Sequence, residues 1–270
     1  MRRQLVFSFI LVPLIALGSP SGTATEVGKH PSFPGNGGFS RGLVSVTFDD
    51  GWVSQYVNAH PVLRETDIPA TYYITSGCVD ADPACMTHEQ IRTLEDQGDE
   101  IGSHSQTHPH MPTLSAAERN VELADSRTTL RRMFGPTVAA NFAAPFGEYD
   151  DLTIGAAKRY YGSQRTTDSG FNTKAGFNRY RLVGQNVLAH TPSDLVRGWI
   201  ESAKANGYWL ILVYHEVGEN RNGGVFHIDT ATFRDQMLAI RNSGLAAVTV
   251  AQGLEESTFQ LIGSDRQPPQ

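Results

Sequence analysis

Short apolar runs rich in β-branched residues alternate with helical segments along most of the chain, and this alternation constrains the fold more than any other feature. Candidate strands are Leu43–Phe48, Ala70–Thr75, Glu100–Ser103, Val138–Ala143, Tyr161–Arg165, Leu182–Val187, Leu210–Tyr214 and Ala247–Val250. Alternating strands and helices build parallel sheets through strand, helix, strand units, and eight strands are enough to close a barrel. We therefore predict a single α/β domain over residues 43–262.

The first 24 residues have the organisation of an export signal. Two arginines precede an apolar run from Leu5 to Leu17, and small residues continue to Ala24. This order is typical of a secretory signal peptide cleaved near Ala24. The alternative is a membrane anchor, but Pro13 interrupts the run, which is shorter than the about 20 apolar residues of a spanning helix. We expect a secreted, periplasmic or cell-envelope protein with no stable membrane span.

The rest of the composition is that of an acidic globular chain. Residues 25–42 are rich in Gly, Pro and Ser and are predicted to be a flexible lead-in, and residues 263–270 a disordered tail. Loss of the two arginines in the signal leaves 20 basic against 28 acidic residues, a net charge of −8. No basic run is longer than Arg131-Arg132, so nucleic acid is not an expected partner.

The chain has two cysteines, Cys78 and Cys85, in a short loop-like segment. In an exported protein such a pair is expected to form one local disulfide. The alternative is a metal site, which requires further thiols or a nearby pair of histidines. His88 alone gives that alternative little support.

Two adjacent carboxylates, Asp49 and Asp50, directly follow the strand Leu43–Phe48. Residues at the carboxyl ends of barrel strands point into the active-site mouth. Two acids placed together repel each other unless a cation or a proton is held between them, so the pair suggests a metal ligand beside a base. Asp-Asp-Gly is also ordinary turn chemistry, and the pair alone does not exclude a simple turn.

A second strand end carries His104 and His108, four residues apart. This spacing aligns two imidazoles on one face if the backbone coils helically after the strand. Two imidazoles and one carboxylate give three protein ligands and one open position, the arrangement of catalytic zinc. The alternative is a solvated loop rich in histidine, since His110 lies nearby. Together with the acids at another strand end, the pair favours a metal site.

A third strand, Leu210–Tyr214, delivers His215 at its end. An imidazole can hold a proton near neutral pH and release it to a leaving amine, so His215 is a candidate general acid. A hydrogen-bonded structural histidine is the alternative, and this strand taken alone does not separate the two.

These segments together resemble the polysaccharide deacetylases of carbohydrate esterase family 4, which contain the NodB-homology domain. The family pattern has a Thr-Phe-Asp-Asp strand end, a spaced histidine pair, an Arg-Pro-Tyr/Phe-Gly loop and a late Leu-x-His strand. The matching segments are residues 47–50, 104–108, 144–147 and 213–215. The resemblance spans roughly residues 43–250 and implies a distorted (β/α) barrel with about seven or eight parallel strands.

The resemblance also implies a metal site and a catalytic base. Asp50, His104 and His108 would hold a divalent ion, usually zinc, with cobalt or another divalent ion as alternatives. Asp49 would act as the base that, together with the metal, activates water. The substrate would be an N-acetylated polysaccharide such as peptidoglycan, a chitin-like oligomer or poly-N-acetylglucosamine.

The remaining roles follow from the same resemblance. The metal and the backbone amide of Phe146, in the loop with Pro145 and Gly147, would stabilise the tetrahedral oxyanion. His215 would protonate the departing amine. The products would be acetate and a free amino sugar.

Two positions depart from the family pattern. Ala143 stands where the family usually places an arginine that orients the catalytic aspartate. Arg165, at the end of the next predicted strand, is a candidate replacement, although it is equally compatible with a surface arginine. Asp168 is the nearest counterpart of a further family aspartate and is predicted to orient His215 through a hydrogen bond, although an aspartate in a turn before glycine is an alternative.

Other functions remain open at this point. A non-catalytic carbohydrate-binding envelope protein would retain the fold and use aromatic side chains, such as those of Tyr149, Phe171, Trp52 and Trp199, to stack on sugar rings. A non-haem iron oxygenase also uses two histidines and a carboxylate, but export and the second aspartate argue against it. Removal of O-acetyl groups from acetylated xylan would pass through the same oxyanion as amide hydrolysis.

Overall fold

The structure is a computed structural model that describes residues 38–219 and 224–263. The predicted signal peptide, most of the predicted lead-in and the predicted tail apart from Gly263 lie outside these residues. Gly263 is the last residue of a helix, although we predicted it to be disordered. Within the lead-in, Phe39 is buried and its N–H donates to the carbonyl of Gly207. The last residues before the first strand are therefore packed against the domain, although we predicted them to be flexible.

The strands agree with the predicted series to within a few residues at their ends. They are β1 Leu43–Phe48, β2 Ala70–Ile74, β3 Glu100–Ser103, β4 Asn141–Ala143, β5 Ser163–Ser169, β6 Leu182–Asn186, β7 Trp209–Tyr214, β8 Glu216–Val217, β9 His227–Ile228 and β10 Ala246–Ala247. The last predicted strand is the least accurate, because the structure shortens it and Val250 begins a helix instead.

Helices connect most of the strands and lie outside the sheet. They are α1 His60–Thr66, α2 His88–Asp96, α3 Ala116–Phe134, α4 Asp151–Ala157, α5 Ser193–Asn206, α6 Thr230–Ser243 and α7 Val250–Gly263. Capping boxes at Thr87 and Ser115 begin α2 and α3, because each side chain accepts from an amide that lacks a helical partner. No helix in the described part of the chain is long and apolar enough to cross a membrane.

Strands β1 to β7 form a closed parallel barrel. Adjacent strands pair in chain order, and β7 returns to pair with β1 along its whole length, from Leu43 opposite Trp209 to Phe48 opposite Tyr214. The other edge of β1 is shared, since β10 pairs with its first residues and β2 with its last. The predicted α/β barrel is thus confirmed, with seven strands in the ring and a short eighth beside β1.

The barrel has one apolar layer inside the ring and another between the ring and the helices. On β7, Trp209, Ile211 and Val213 belong to the inner cluster, while the residues between them pack with the outer cluster. This alternation follows from the two-residue period of a strand. Continued past the strand end, it directs His215 toward the barrel axis.

Candidate active site

The predicted chemical residues meet at the carboxyl ends of the strands. Asp49 and Asp50 follow β1, His104 follows β3 and His215 follows β7. These three strand ends belong to one parallel ring, so they open at the same rim. Asp49 and His104 are almost fully buried there, and Asp50 is partly exposed.

Asp50, His104 and His108 form a group able to hold a metal ion. The Oδ1 atom of Asp50 lies 3.4 Å from Nε2 of His104 and 3.2 Å from Nε2 of His108. The three atoms therefore face a common point, as ligands of one cation would. This is the juxtaposition that the sequence predicted from two separate strand ends.

The route by which the histidines converge differs from the prediction. The segment after β3 is not helical, and the chain turns at Ser105 and His108, which have φ values of 66° and 59°. Asp50 also has a positive φ, at 74°. Such conformations are costly for residues other than glycine and concentrate at functional sites. Left-handed turns, rather than a helical face, bring the ligand atoms together.

Outer hydrogen bonds fix the ligand atoms. Nδ1 of His104 donates to the carbonyl of Ala143 at 2.9 Å, so Nε2 is the nitrogen turned to Asp50 and the one that would give its electron pair to a cation. The indole Nε1 of Trp52 donates to Oδ2 of Asp50 at 2.8 Å, so Oδ1 is the oxygen turned to the imidazoles. Trp52, an aromatic considered above for stacking on sugars, therefore supports a ligand. Two imidazole nitrogens and a carboxylate suit zinc and similar divalent ions.

Electrostatics keep Asp50 ionised. Burial raises its pKa, but hydrogen bonds from His104 and His108 outweigh this effect and hold the pKa well below its usual range. A carboxylate in this state is ready to bind a cation without first losing a proton.

Asp49 is paired with Arg165 inside the barrel. A guanidinium nitrogen of Arg165 contacts Oδ1 of Asp49, and both side chains are buried. Burial raises the pKa of Asp49, but Arg165, with help from neighbouring imidazoles, brings the pKa below its ordinary value. Arg165 is thus a buried partner of Asp49 and not a surface arginine.

The geometry explains how Arg165 reaches the place left empty by Ala143. The two residues are register partners on β4 and β5, so Arg165 stands one strand away from position 143. Its guanidinium carbon lies 5.2 Å from the ring centre of Tyr73, a cation–π contact. The small side chain of Ala143 leaves the barrel interior free for this arrangement.

His215 lies on the other side of Asp49. Its Nε2 is 3.8 Å from Oδ2 of Asp49. Burial lowers the pKa of His215, and the charges of Asp49 and Asp50 only partly offset this. Its Nδ1 is buried and has no hydrogen-bond partner among the described residues.

The predicted hydrogen bond between Asp168 and His215 is absent from the described residues. Asp168 is exposed and instead accepts a 2.5 Å hydrogen bond from the hydroxyl of Tyr149. The reason is a shift in the β5–β6 register between Arg165 and Ser169, beyond which the strand leaves the buried interior. Asp168 therefore does not orient the imidazole.

The Pro145–Gly147 segment forms a tight turn beside the histidines. Phe146 has a φ of 58°, and its half-exposed ring lies 4.4 Å from the ring of His108 and stacks on His110 at 4.0 Å. Gly147 has a φ of 69°, and a Cβ there would meet the Thr167 hydroxyl at 1.8 Å, so no larger residue fits. The turn thus forms one wall of the site.

The disulfide Cys78–Cys85 is present, as predicted. The loop that it closes contacts the turn after β1, since the N–H of Val53 donates to the carbonyl of Ala84 and that of Met86 to the carbonyl of Gly51. The disulfide therefore braces the segment that carries Asp50.

Comparison with known proteins agrees with this geometry. The sequence profile named "Polysaccharide deacetylase" matches residues 36–162. The putative polysaccharide deacetylase YxkH of Bacillus subtilis is 30% identical over 166 residues, which cover 61% of this chain and 58% of YxkH. A chitin deacetylase of Colletotrichum lindemuthianum is 25% identical over 199 residues, covering 66% of this chain and 80% of the relative.

Solved structures give the same result. The polysaccharide deacetylase BC0361 of Bacillus cereus aligns with a TM-score of 0.53 and 26% identity, over 59% of this chain and 51% of that one. The Xyl-CE4 domain of a multidomain xylanase from the hindgut metagenome of Trinervitermes trinervoides aligns with a TM-score of 0.60, over 81% of this chain and 92% of the domain; at 18% identity it shows the shared fold. The chain spans just over half the length of YxkH and BC0361. By sequence profile, relatives, fold and candidate metal group, the chain is similar to the polysaccharide deacetylases of carbohydrate esterase family 4, which are metal-dependent hydrolases.

Proposed function

We propose that the protein removes N-acetyl groups from an amino-sugar polymer by metal-dependent hydrolysis. The observation that carries this proposal is the convergence of Asp50, His104 and His108 beside the buried Asp49. His215 completes the group on the opposite side of Asp49. The arrangement offers a cation site, a base and an acid around one small volume, which is what acetamide hydrolysis requires.

Asp50, His104 and His108 would hold the divalent ion, and zinc is the proposed metal because of its preference for imidazole and carboxylate ligands. When bound, such an ion supplies Lewis acidity and lowers the pKa of water. Asp49 acts as the base, since its pairing with Arg165 keeps the carboxylate ionised and oriented. It accepts the proton that the attacking water loses.

His215 supplies the proton that the leaving amine needs. Burial lowers the pKa of its imidazole, so the protonated ring is a stronger acid than a free imidazolium. We assign the backbone amide of Phe146, in the turn Pro145–Gly147, to the developing oxyanion. In this scheme Arg165 positions Asp49 and does not touch the substrate.

The substrate class is supported by the chitin deacetylase relative and by the family profile. Peptidoglycan, chitin-like oligomers and poly-N-acetylglucosamine all carry the required acetamide. The order of charged and apolar residues before Ala24 supports export, so we place the protein outside the cytoplasmic membrane, as a secreted, periplasmic or envelope enzyme.

Acetate release tests the proposal. The purified protein is incubated with each of the three N-acetylated glycans and with acetylated xylan, in the presence of zinc, cobalt or a chelator. We expect acetate from at least one amino-sugar polymer, loss of activity with chelator, and recovery with added metal. Asp49→Asn should lower turnover by roughly 10²- to 10⁴-fold, the usual contribution of a general base, while the metal content stays the same.

Two outcomes would decide against the proposal. Acetate from acetylxylan alone would make the protein an O-acetyl esterase. Binding of glycan without acetate release and without bound metal would make it a carbohydrate-binding protein.

A further inference from the structure

The turn that follows Asp50 is attached to the segment that carries His215. This turn is π-helical from Gln55 to Ala59, a geometry that often marks functional sites. Three polar side chains of the turn, those of Ser54, Gln55 and Asn58, hydrogen-bond to the backbone of residues 215–217. We refer to these three side chains as the 54–58 clamp.

Gln55 is the central member of the clamp. Its side chain is fully buried, and its Nε2 donates to the carbonyl of Asp49 at 2.5 Å and to the carbonyl of His215 at 3.1 Å. An amide NH₂ has two hydrogens, so one group can serve both carbonyls. A single side chain therefore connects the backbone of Asp49, the proposed base, to the backbone of His215, the proposed acid.

Asn58 and Ser54 hold the next turn of the same segment. Nδ2 of Asn58 donates to the carbonyl of Val217 at 2.7 Å, and the N–H of Val217 donates to the Ser54 hydroxyl at 3.4 Å. The fit is close at Gly218, where a Cβ would lie 2.4 Å from Nδ2 of Asn58. In the segment after β7, both the N–H and the carbonyl of Val217 are thus hydrogen-bonded to clamp side chains.

This attachment matters because the His215 ring lacks the usual orienting partner. A catalytic imidazole is commonly held by a hydrogen bond from Nδ1 to a carboxylate. Here Nδ1 has no partner among the described residues, and Asp168 bonds to Tyr149. The direction of the ring therefore depends on its packing, which includes the ring of Phe226 at 4.8 Å, and on how its backbone is held.

We propose that the 54–58 clamp positions His215 as the proton donor, with Gln55 setting its distance from Asp49. The inference rests on the proposed function and extends it, because it identifies what replaces the carboxylate as the orienting element. The clamp side chains are positioning residues, since they act through the backbone of other residues.

The test compares substrates whose leaving groups differ in whether they need a proton from His215. A sugar amine or sugar alkoxide needs a proton to leave, whereas 4-nitrophenolate does not. Wild type, Gln55→Met and Asn58→Asp are compared on the acetylated glycan that wild type turns over and on 4-nitrophenyl acetate. Methionine and aspartate keep the approximate size of the side chain but remove the N–H donors.

We expect Gln55→Met to lower kcat on the glycan by about 10- to 100-fold, the range for a misplaced catalytic group, with KM little changed. Turnover of 4-nitrophenyl acetate should fall much less, so the ratio of glycan to aryl acetate activity drops. Asn58 bonds to Val217 and not to Asp49, so Asn58→Asp should lower the same ratio less than Gln55→Met does. Metal content and the melting temperature are measured beside each rate.

Gln236→Met is the matched control. Gln236 is another fully buried glutamine, on α6; its Oε1 accepts from the hydroxyl of Tyr214 and its Nε2 donates to the carbonyl of Thr191, so it contacts neither catalytic carbonyl. Its replacement should leave the ratio unchanged. If both clamp variants lose the two activities in equal proportion, or lose neither, the inference is wrong. If wild type releases no acetate from any glycan, the proposed function itself fails.

Discussion

Two acids, Asp99 and Glu100, lie where strand β3 begins, and the candidate metal-ligating histidines follow its other end, at the rim. The carboxylates at these two ends of the barrel are in opposite electrostatic states. At the end of the barrel opposite the rim, burial raises the pKa of Asp99 to about 6, although the amide of Ala70 and the side chain of Arg64 lower it. Burial also raises the pKa of Glu100, which is bonded to neutral donors. At the rim, the pKa values of Asp49 and Asp50 are lowered.

Burial alone does not explain this difference, since the side chains at both ends are largely removed from water. The charge of the partners explains it. Glu100 accepts from Asn141, Thr71 and the amide of Ala251, and these neutral donors only partly replace water. Asp49 and Asp50 face a guanidinium and two imidazoles. Asp99 does have a cationic partner, Arg64 at 3.3 Å, but that side chain is 34% exposed and does not offset burial. Buried partners with positive charge or donor hydrogens therefore keep the rim acids ionised, whereas neutral or solvent-screened partners leave acids able to hold a proton.

The largest effect should follow removal of a ligand at the rim. His104→Ala should abolish metal binding and acetate release, exceeding the roughly 10- to 100-fold loss that results when only an outer partner of a ligand is removed. Metal content by elemental analysis and acetate assays check this. His88→Ala, which removes a histidine stacked on Phe134 and outside the metal group, is the control and should keep both properties.

The second-largest effect should follow removal of Arg165, whose guanidinium pairs with Asp49 at the rim. Arg165→Ala leaves the buried carboxylate of Asp49 without its partner. Breaking a buried ion pair in this way lowers the free energy of unfolding by about 3–5 kcal/mol. We expect a large fall in kcat with the metal content unchanged. Adding Ala143→Arg on the neighbouring strand should restore part of the turnover, because the two positions are in register. Unchanged turnover in Arg165→Ala would remove Arg165 from the site.

At the end of the barrel opposite the rim, the titration of Asp99 should change the free energy of unfolding with pH. Its folded pKa lies above the ordinary value of 3.8, so the folded state holds the proton more tightly than the unfolded state. The contribution is present below about pH 4 and is lost as the pH rises to about 6, by roughly 2 kcal/mol from linkage. Asp99→Asn should lack this loss, while acetate release stays at the wild-type level. Urea unfolding at pH 4 and pH 7 measures the difference, and identical pH profiles for both proteins would contradict the comparison.

The smallest effect concerns an outer contact at the rim. Trp52→Phe removes the indole N–H that holds Oδ2 of Asp50 and should weaken metal binding about 10-fold, the lower range for such partners. Competition with a chromogenic chelator measures the affinity. Trp199→Phe provides a control tryptophan on α5, and a similar loss in both variants would show that the indole bond has no specific role.

Much of the site could be predicted because its residues stand at strand ends that are visible in the sequence. Asp49, His104 and His215 each follow an apolar run, and parallel strands bring such ends to one rim. The pairing of Arg165 with Asp49 followed the same logic. Asp168 failed because the register shift after Arg165 has no sequence signal, and the clamp residues were missed because their partners lie about 160 positions away.

The sequence by itself determined the architecture and the types of chemical group at the rim, because both follow from local patterns of apolar and polar residues. The tertiary structure alone decided which atoms face one another. Left-handed turns at Asp50, Ser105 and His108 direct the ligand atoms, and the closure of β7 on β1 brings His215 to Asp49. Contacts between distant segments fix these conformations, since the conformational preferences of the residues themselves oppose such turns.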